Sequence, residues 1–134
     1  MWIPYEQKRG YPHDFRVSYR FFPAAEGGRK TLPVQGYRCD FAYAGDDVSQ
    51  SGIYAIHPEF EDANGEVLPD AENCVPAEGT ARMWVLFPAM RREVHAKRIS
   101  AGVQGFFMEG PRRVGAVEVI EVNGLLENAQ KVSD

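Results

Sequence analysis

At 134 residues, 44% hydrophobic and 12% aromatic, the chain can bury the core of one ordinary domain. Its net charge of −4, spread over charges of both signs, gives no global basic field of the kind that draws nucleic acid. No apolar run approaches the ~20 residues that a membrane helix needs, and Cys39 and Cys74 form neither CxxC nor a zinc spacing. Both cysteines are expected to be reduced. The opening Met1-Trp2-Ile3-Pro4-Tyr5-Glu6 lacks the basic and apolar regions of a signal peptide. A cytoplasmic location without a membrane partner is therefore expected.

Residues 1–14 hold Pro4, Gly10 and Pro12 and read as an extended lead-in, with Trp2, Tyr5 and Tyr11 available to pin it to the body. A first strand is expected over 15–22, where aromatics and polar residues mix at strand spacing. In the connection that follows, 23–33, Glu26-Gly27-Gly28-Arg29 lets the backbone reverse and puts Arg29 and Lys30 at the tip. A second strand is expected over 37–44, antiparallel to the first, with Tyr37, Cys39, Phe41 and Tyr43 on one face. Gly45-Asp46-Asp47 is a turn, and a short third strand over 52–57 ends at His57-Pro58.

From Glu59 to Gly79 the chain is acidic, turn-rich and without Lys or Arg, which reads as a long solvated loop. A fourth strand is expected over 81–88, followed by a basic cluster of Arg91, Arg92, His95, Lys97 and Arg98. Strands over about 102–108 and 113–122 flank the tight turn Glu109-Gly110-Pro111-Arg112. Residues 123–134 read as a frayed tail. No long amphipathic helical pattern is present. Six strands separated by turn signals predict an all-β fold, an antiparallel closed barrel or a sandwich. Glu118 interrupts a valine-rich strand: either a bulge near Gly115 turns it outward, or it is buried against Arg82 or Arg20.

Chemistry-bearing patterns are sparse. His13, His57 and His95 are not at metal-ligand spacing, no serine lies in GxSxG, and the acidic stretch does not match an EF-hand loop. No GxxxxGK[ST] phosphate loop occurs. No catalytic residue, metal, cofactor or nucleotide is expected.

The order Phe15, Glu26-Gly27-Gly28-Arg29, Pro33, Gly36-Tyr37-Arg38, Phe41, Asp47-Val48 and, later, Glu109-Gly110-Pro111-Arg112-Arg113-Val114-Gly115-Ala116 resembles a known domain. It is similar to the third, C-terminal domain of elongation factor Tu and its eukaryotic counterpart, where EGGR, GYR and EGGRTVGA recur in this order. The resemblance covers about residues 15–122. It implies a six-stranded antiparallel closed β-barrel over 15–122, flanked by the lead-in and the tail. In that family the barrel packs on the G domain and touches the T stem of aminoacyl-tRNA. Glu109 and Gly110 match a Glu-Gly pair that meets the tRNA backbone, and Ser49 matches a threonine. Asp40 stands in place of a glutamine and puts negative charge where a phosphate would approach. Pro111 replaces a glycine and removes an N–H donor.

The expected function is a stand-alone, non-catalytic binding module. Its candidate partner-binding residues are Arg29, Lys30, Arg38, Asp40, Ser49, Glu109, Gly110, Arg112 and Arg113. A protein partner is expected first. The alternatives are a tRNA or other structured RNA, and mimicry, in which an immunity protein of this shape engages a toxin or another partner of the translation machinery.

Overall fold

The computed structural model describes residues 1–132. Ser133 and Asp134, the last two residues of the expected tail, lie outside the described residues. Six strands form one antiparallel sheet: β1 (Phe15–Phe21), β2 (Asp40–Tyr43), β3 (Ile56–Phe60), β4 (Glu78–Val85), β5 (Gln104–Glu109) and β6 (Arg112–Val122). Their order is β2-β5-β6-β1-β4-β3. The sheet curls around a core of inward residues such as Phe15, Val17, Tyr19 and Phe21 of β1, Phe60 of β3 and Phe107 of β5. Two register shifts help the long β6 to bend, one opposite Arg16/Val17 and one opposite Phe107/Met108. The second lies next to Gly115, and Glu118 points outward, accepting from Gln104 Nε2 at 3.3 Å.

Two expectations about this sheet need correction. β1 does not pair with β2; it lies between β6 and β4, and the long connection carries the chain to the far edge of the sheet. Nor is the barrel closed by a continuous ladder. Its edge strands β2 and β3 do not pair; one isolated bridge, in which Phe41 of β2 and Tyr54, just ahead of β3, exchange backbone hydrogen bonds of 2.8 Å, lies between them. The sheet is thus a curled half-barrel with β2 and β3 as its edges, and the expected closed barrel is not formed. Gln35, 2% exposed, donates to the Phe60 carbonyl at 2.9 Å and accepts from the Phe60 N–H at 2.8 Å, as a neighbouring strand would. Two residues earlier Pro58 has no N–H to offer, which suits an edge position.

The remaining surprises are helical. The lead-in expected to be extended contains α1 (Tyr5–Arg9), ended by Gly10 at φ 76°. The segment expected to be a tail forms α5 (Leu125–Lys131), with Leu125 at 0% exposure. The short α2 (Val48–Ser51) is capped by Asp47, whose carboxylate accepts from the Ser49 N–H at 3.0 Å. After β4 the chain turns through α3 (Pro88–Met90), a π-helical turn (Arg91–His95) and α4 (Ala96–Arg98), where only a basic cluster was legible.

The N-terminal arm covers the outer face of β3 and β4 and creates a second apolar centre. Trp84 is 0% exposed and lies against Tyr5, Tyr11 and His13 rather than in the main core. Glu59 secures this layer by accepting from Trp2 Nε1 at 2.8 Å, the Tyr5 N–H at 2.9 Å and Trp84 Nε1 at 3.1 Å. Glu61 accepts from Arg16, Arg82 and Thr80. The start of the acidic stretch is therefore buried structure, not solvated loop: Glu59 is 1% and Glu61 2% exposed. Burial raises the Glu61 pKa, but bonds from Arg16, Arg82 and Thr80 outweigh it and hold the carboxyl below its ordinary range.

Candidate functional site

The motif residues meet at one rim of the sheet. There, Glu109 at the end of β5 receives Arg29 from the glycine-rich connection, the Tyr37 hydroxyl, and Arg112 Nη2 at 2.9 Å from the start of β6. The Arg29 guanidinium also lies over the Tyr37 ring at 4.9 Å and donates through Nε to the Thr31 carbonyl at 3.1 Å. Burial works to raise the Glu109 pKa; bonds from Tyr37, Arg29 and Arg112 prevail and hold it below the ordinary carboxylate range. The Tyr37 hydroxyl is pushed up by burial and by its bond to Glu109, so it stays a neutral donor.

Local geometry explains how these segments converge. Gly110 at φ 59°, followed by Pro111, makes a two-residue hairpin turn that brings Glu109 and Arg112 together. Gly28 lies flat on Phe22: a Cβ there would fall 1.8 Å from the Phe22 carbonyl oxygen. The connection therefore presses onto the end of β1 and delivers Arg29 to the rim.

Of the residues expected to bind a partner, the structure unites Arg29, Glu109, Gly110 and Arg112. Arg113 is next to them, its guanidinium 4.3 Å from the Phe106 ring centre. Lys30 is exposed and lines a groove of about 740 Å³ behind the rim, together with Arg29, Phe22 and Leu32. Ser49 and Gly110 line a separate apolar hollow of about 230 Å³ with Val48, Ile53 and Pro111. Asp40 is half-buried in β2, opposite Met108. Arg38 is not at the rim. It lies beside Tyr5 and His57, and the His57 imidazole is pushed below its ordinary range by burial, Arg38 and Arg9.

The basic cluster is divided: Arg91 and His95 are buried, whereas Arg92, Lys97 and Arg98 are exposed. Arg91 is 0% exposed and donates to Asp14, also 0% exposed, at 2.9 Å, and to the Val85 carbonyl at 2.8 Å. Asn128 of α5 donates to the same carboxylate at 3.0 Å, which ties together the arm, β4, the π-helical turn and α5. His95 is 1% exposed, shares a hydrogen bond of 2.6 Å with the Tyr43 hydroxyl, and packs edge-on against Tyr54. Burial, Arg98 and Arg91 push its pKa down to about 4. Arg98 pairs with Asp46 at 3.0 Å.

Tyr37 is not among the residues expected at the site, although it lies within the Gly36-Tyr37-Arg38 run. Cys39 is 2% exposed and its thiol is pushed up by burial, while Cys74 is exposed and free. Among the described residues, no group of three or more His, Cys, Asp or Glu side chains is placed to hold a metal ion, and no helix is long and apolar enough to cross a membrane. No family model matches the chain, and no curated protein matches it.

Proposed function

We propose that this chain is a non-catalytic, cytoplasmic protein-binding module that presents the rim around Glu109. One observation carries the reading. Arg29 of the Glu26–Arg29 run, Tyr37 of the Gly36–Arg38 run, and Glu109 and Arg112 of the hairpin turn join in a single hydrogen-bonded cluster. Two neighbouring motifs of the β1–β2 connection thus meet a hairpin turn 72 residues beyond Tyr37 at one place on the surface. The order of these motifs in the sequence resembles that of the elongation factor Tu C-terminal domain, and on that resemblance alone the proposed partner is placed among those of translation.

The cluster suits recognition more than stability. The side chains of Glu109, Arg29 and Arg112 are 26–54% exposed, where ion pairs contribute little to folding. A carboxylate fixed by three donors is nevertheless a rigid feature, and rigid features with exposed cations beside them favour specific docking.

The test is capture from cell extract with the chain as bait, followed by identification of bound protein and RNA. A protein held by the wild type and lost with Arg112→Glu supports the proposal. Salt-sensitive retention of tRNA, with no protein partner dependent on Arg112, would replace it with the RNA reading.

A further inference from the structure

The groove behind the rim has the composition of a peptide site. It lies between the 22–32 connection and Pro76–Glu78, and about 740 Å³ falls within the usual range for ligand clefts. Its apolar surfaces include Phe22, Pro23, Leu32 and Pro76. Its cations are Arg20, Arg29 and Lys30, and Glu78 is the one acid lining it.

The charges are not equivalent. Arg29 is committed to Glu109, and the Arg20 guanidinium lies 5.1 Å from the Phe22 ring centre, across the strand pair from Glu78. Lys30 is exposed at the mouth. The surplus is positive in a molecule whose net charge is −4. A local cationic surplus above an apolar floor, on an otherwise acidic protein, selects an anionic ligand with an apolar anchor over a purely charged one.

The groove is also held in shape before anything binds. The connection is braced by backbone bonds from Glu26 and Gly28 to the Pro23 carbonyl, at 2.9 and 3.1 Å, and by the close approach of Gly28 to Phe22. Two prolines in its walls restrict the backbone further. Little ordering is left for binding to impose.

We infer that this groove receives a short acidic segment of a partner protein, with an aliphatic or aromatic side chain seated between Phe22 and Leu32 and its carboxylates facing Arg20 and Lys30. This rests on the protein-binding reading above and names the chemistry of the contact.

The probe is an acetylated dodecapeptide of glutamates with a central Leu-Phe pair, titrated into the ¹⁵N-labelled chain. Two control peptides replace the glutamates by lysines or the Leu-Phe pair by glutamates. The expected result is saturable shift changes concentrated in residues 20–32 and 76–78, with at least tenfold weaker binding for both controls. Lys30→Glu and Ala77→Trp, which alter the exposed mouth and leave the core intact, should each weaken binding at least tenfold. Absence of saturable shifts at millimolar peptide would overturn the inference. Equal binding of the all-glutamate control, or of the Ala77→Trp variant, would do the same. If Ala77→Trp and Lys30→Glu lose no partner in the extract experiment while Arg112→Glu does, the rim stands and the groove assignment fails alone.

Discussion

Asp14 and Glu109 are both carboxylates gripped by arginine, at opposite extremes of burial. Asp14 and Arg91 are each 0% exposed, whereas the side chains of Glu109, Arg29 and Arg112 are 26%, 29% and 54% exposed. Around Asp14, every partner is another piece of the fold: the β4 backbone, Arg91 and Asn128 of α5. Around Glu109, Arg29 and Tyr37 come from the β1–β2 connection and Arg112 from the start of β6, and none of them is fully buried. The same ion-pair chemistry therefore does two jobs. Where water is excluded it fixes how the chain closes on itself; where water remains it fixes the shape of an exposed rim, the surface proposed above to meet a partner.

That contrast breaks first if the buried pair proves dispensable. Asp14→Ala leaves Arg91 as an uncompensated buried charge and removes the acceptor for the Val85 N–H. The expected loss is about 3–5 kcal/mol in urea denaturation, the largest effect in the molecule. A loss under about 1 kcal/mol would mean that Arg91 reaches water readily and that the two sites do not differ in kind.

Glu59→Ala comes next. It strands the Tyr5 N–H and Trp84 Nε1 without an acceptor, and frees Trp2. Stability should fall by about 2–4 kcal/mol, since each orphaned buried donor costs about 1–3 kcal/mol. Tryptophan emission should shift red as the arm lifts from Trp84. Unchanged emission would show that the edge-on contact of Tyr5 and the stacking of Tyr11 on Trp84 hold the arm without the carboxylate.

His95 sharpens the comparison through pH. Its folded pKa of about 4 lies below the ordinary 6.5, so between these values the unfolded chain binds the extra proton. Stability should decline as pH falls from about 6.5 to 4, by about 2–3 kcal/mol. His95→Gln keeps a hydrogen-bonding group near Tyr43 and should remove most of that decline, leaving the share of His13 and His57, whose imidazoles burial also pushes below the ordinary range. Glu61 acts lower: its depressed carboxyl stabilises at pH above the ordinary carboxylate value and loses that contribution as pH falls through the folded value. A wild-type profile flat between pH 6.5 and 4 would place His95 in contact with water.

The sheet was legible because apolar and aromatic residues alternate along β1 and crowd β4 and β6, and because Glu109-Gly110-Pro111-Arg112 announces a hairpin. The strand order was not, since the β1–β2 connection looks local and is not. Helices α1, α2 and α5 are too short to show a period, and the π-helical turn puts its buried residues, Arg91 and His95, among those usually exposed. Glu59 and Glu61 read as loop for the same reason: a buried carboxylate is recognised by its donors, and Trp2, Trp84, Arg16 and Arg82 lie far away in sequence. The motifs singled out Arg29, Glu109 and Arg112, which the fold brings together at the rim, but spacing alone could not separate them from Arg38, which lies beside Tyr5 and His57 instead.

The smallest expected change in stability is the most informative about function. Arg112→Glu removes an exposed i,i+3 partner of Glu109 and leaves Arg29 and Tyr37 in place. Exposed pairs contribute about 0–1 kcal/mol, so the urea midpoint should move little. The reversal of charge nevertheless alters the face that a partner would meet, and capture should fall by tenfold or more. A loss of 2 kcal/mol would assign Arg112 to the fold, as Arg91 is, because an ion pair of this exposure reaches that magnitude only when other contacts depend on it. Unchanged stability with unchanged capture would leave the rim ordered but idle, and would move the search for the binding surface to the Arg38 and His57 flank.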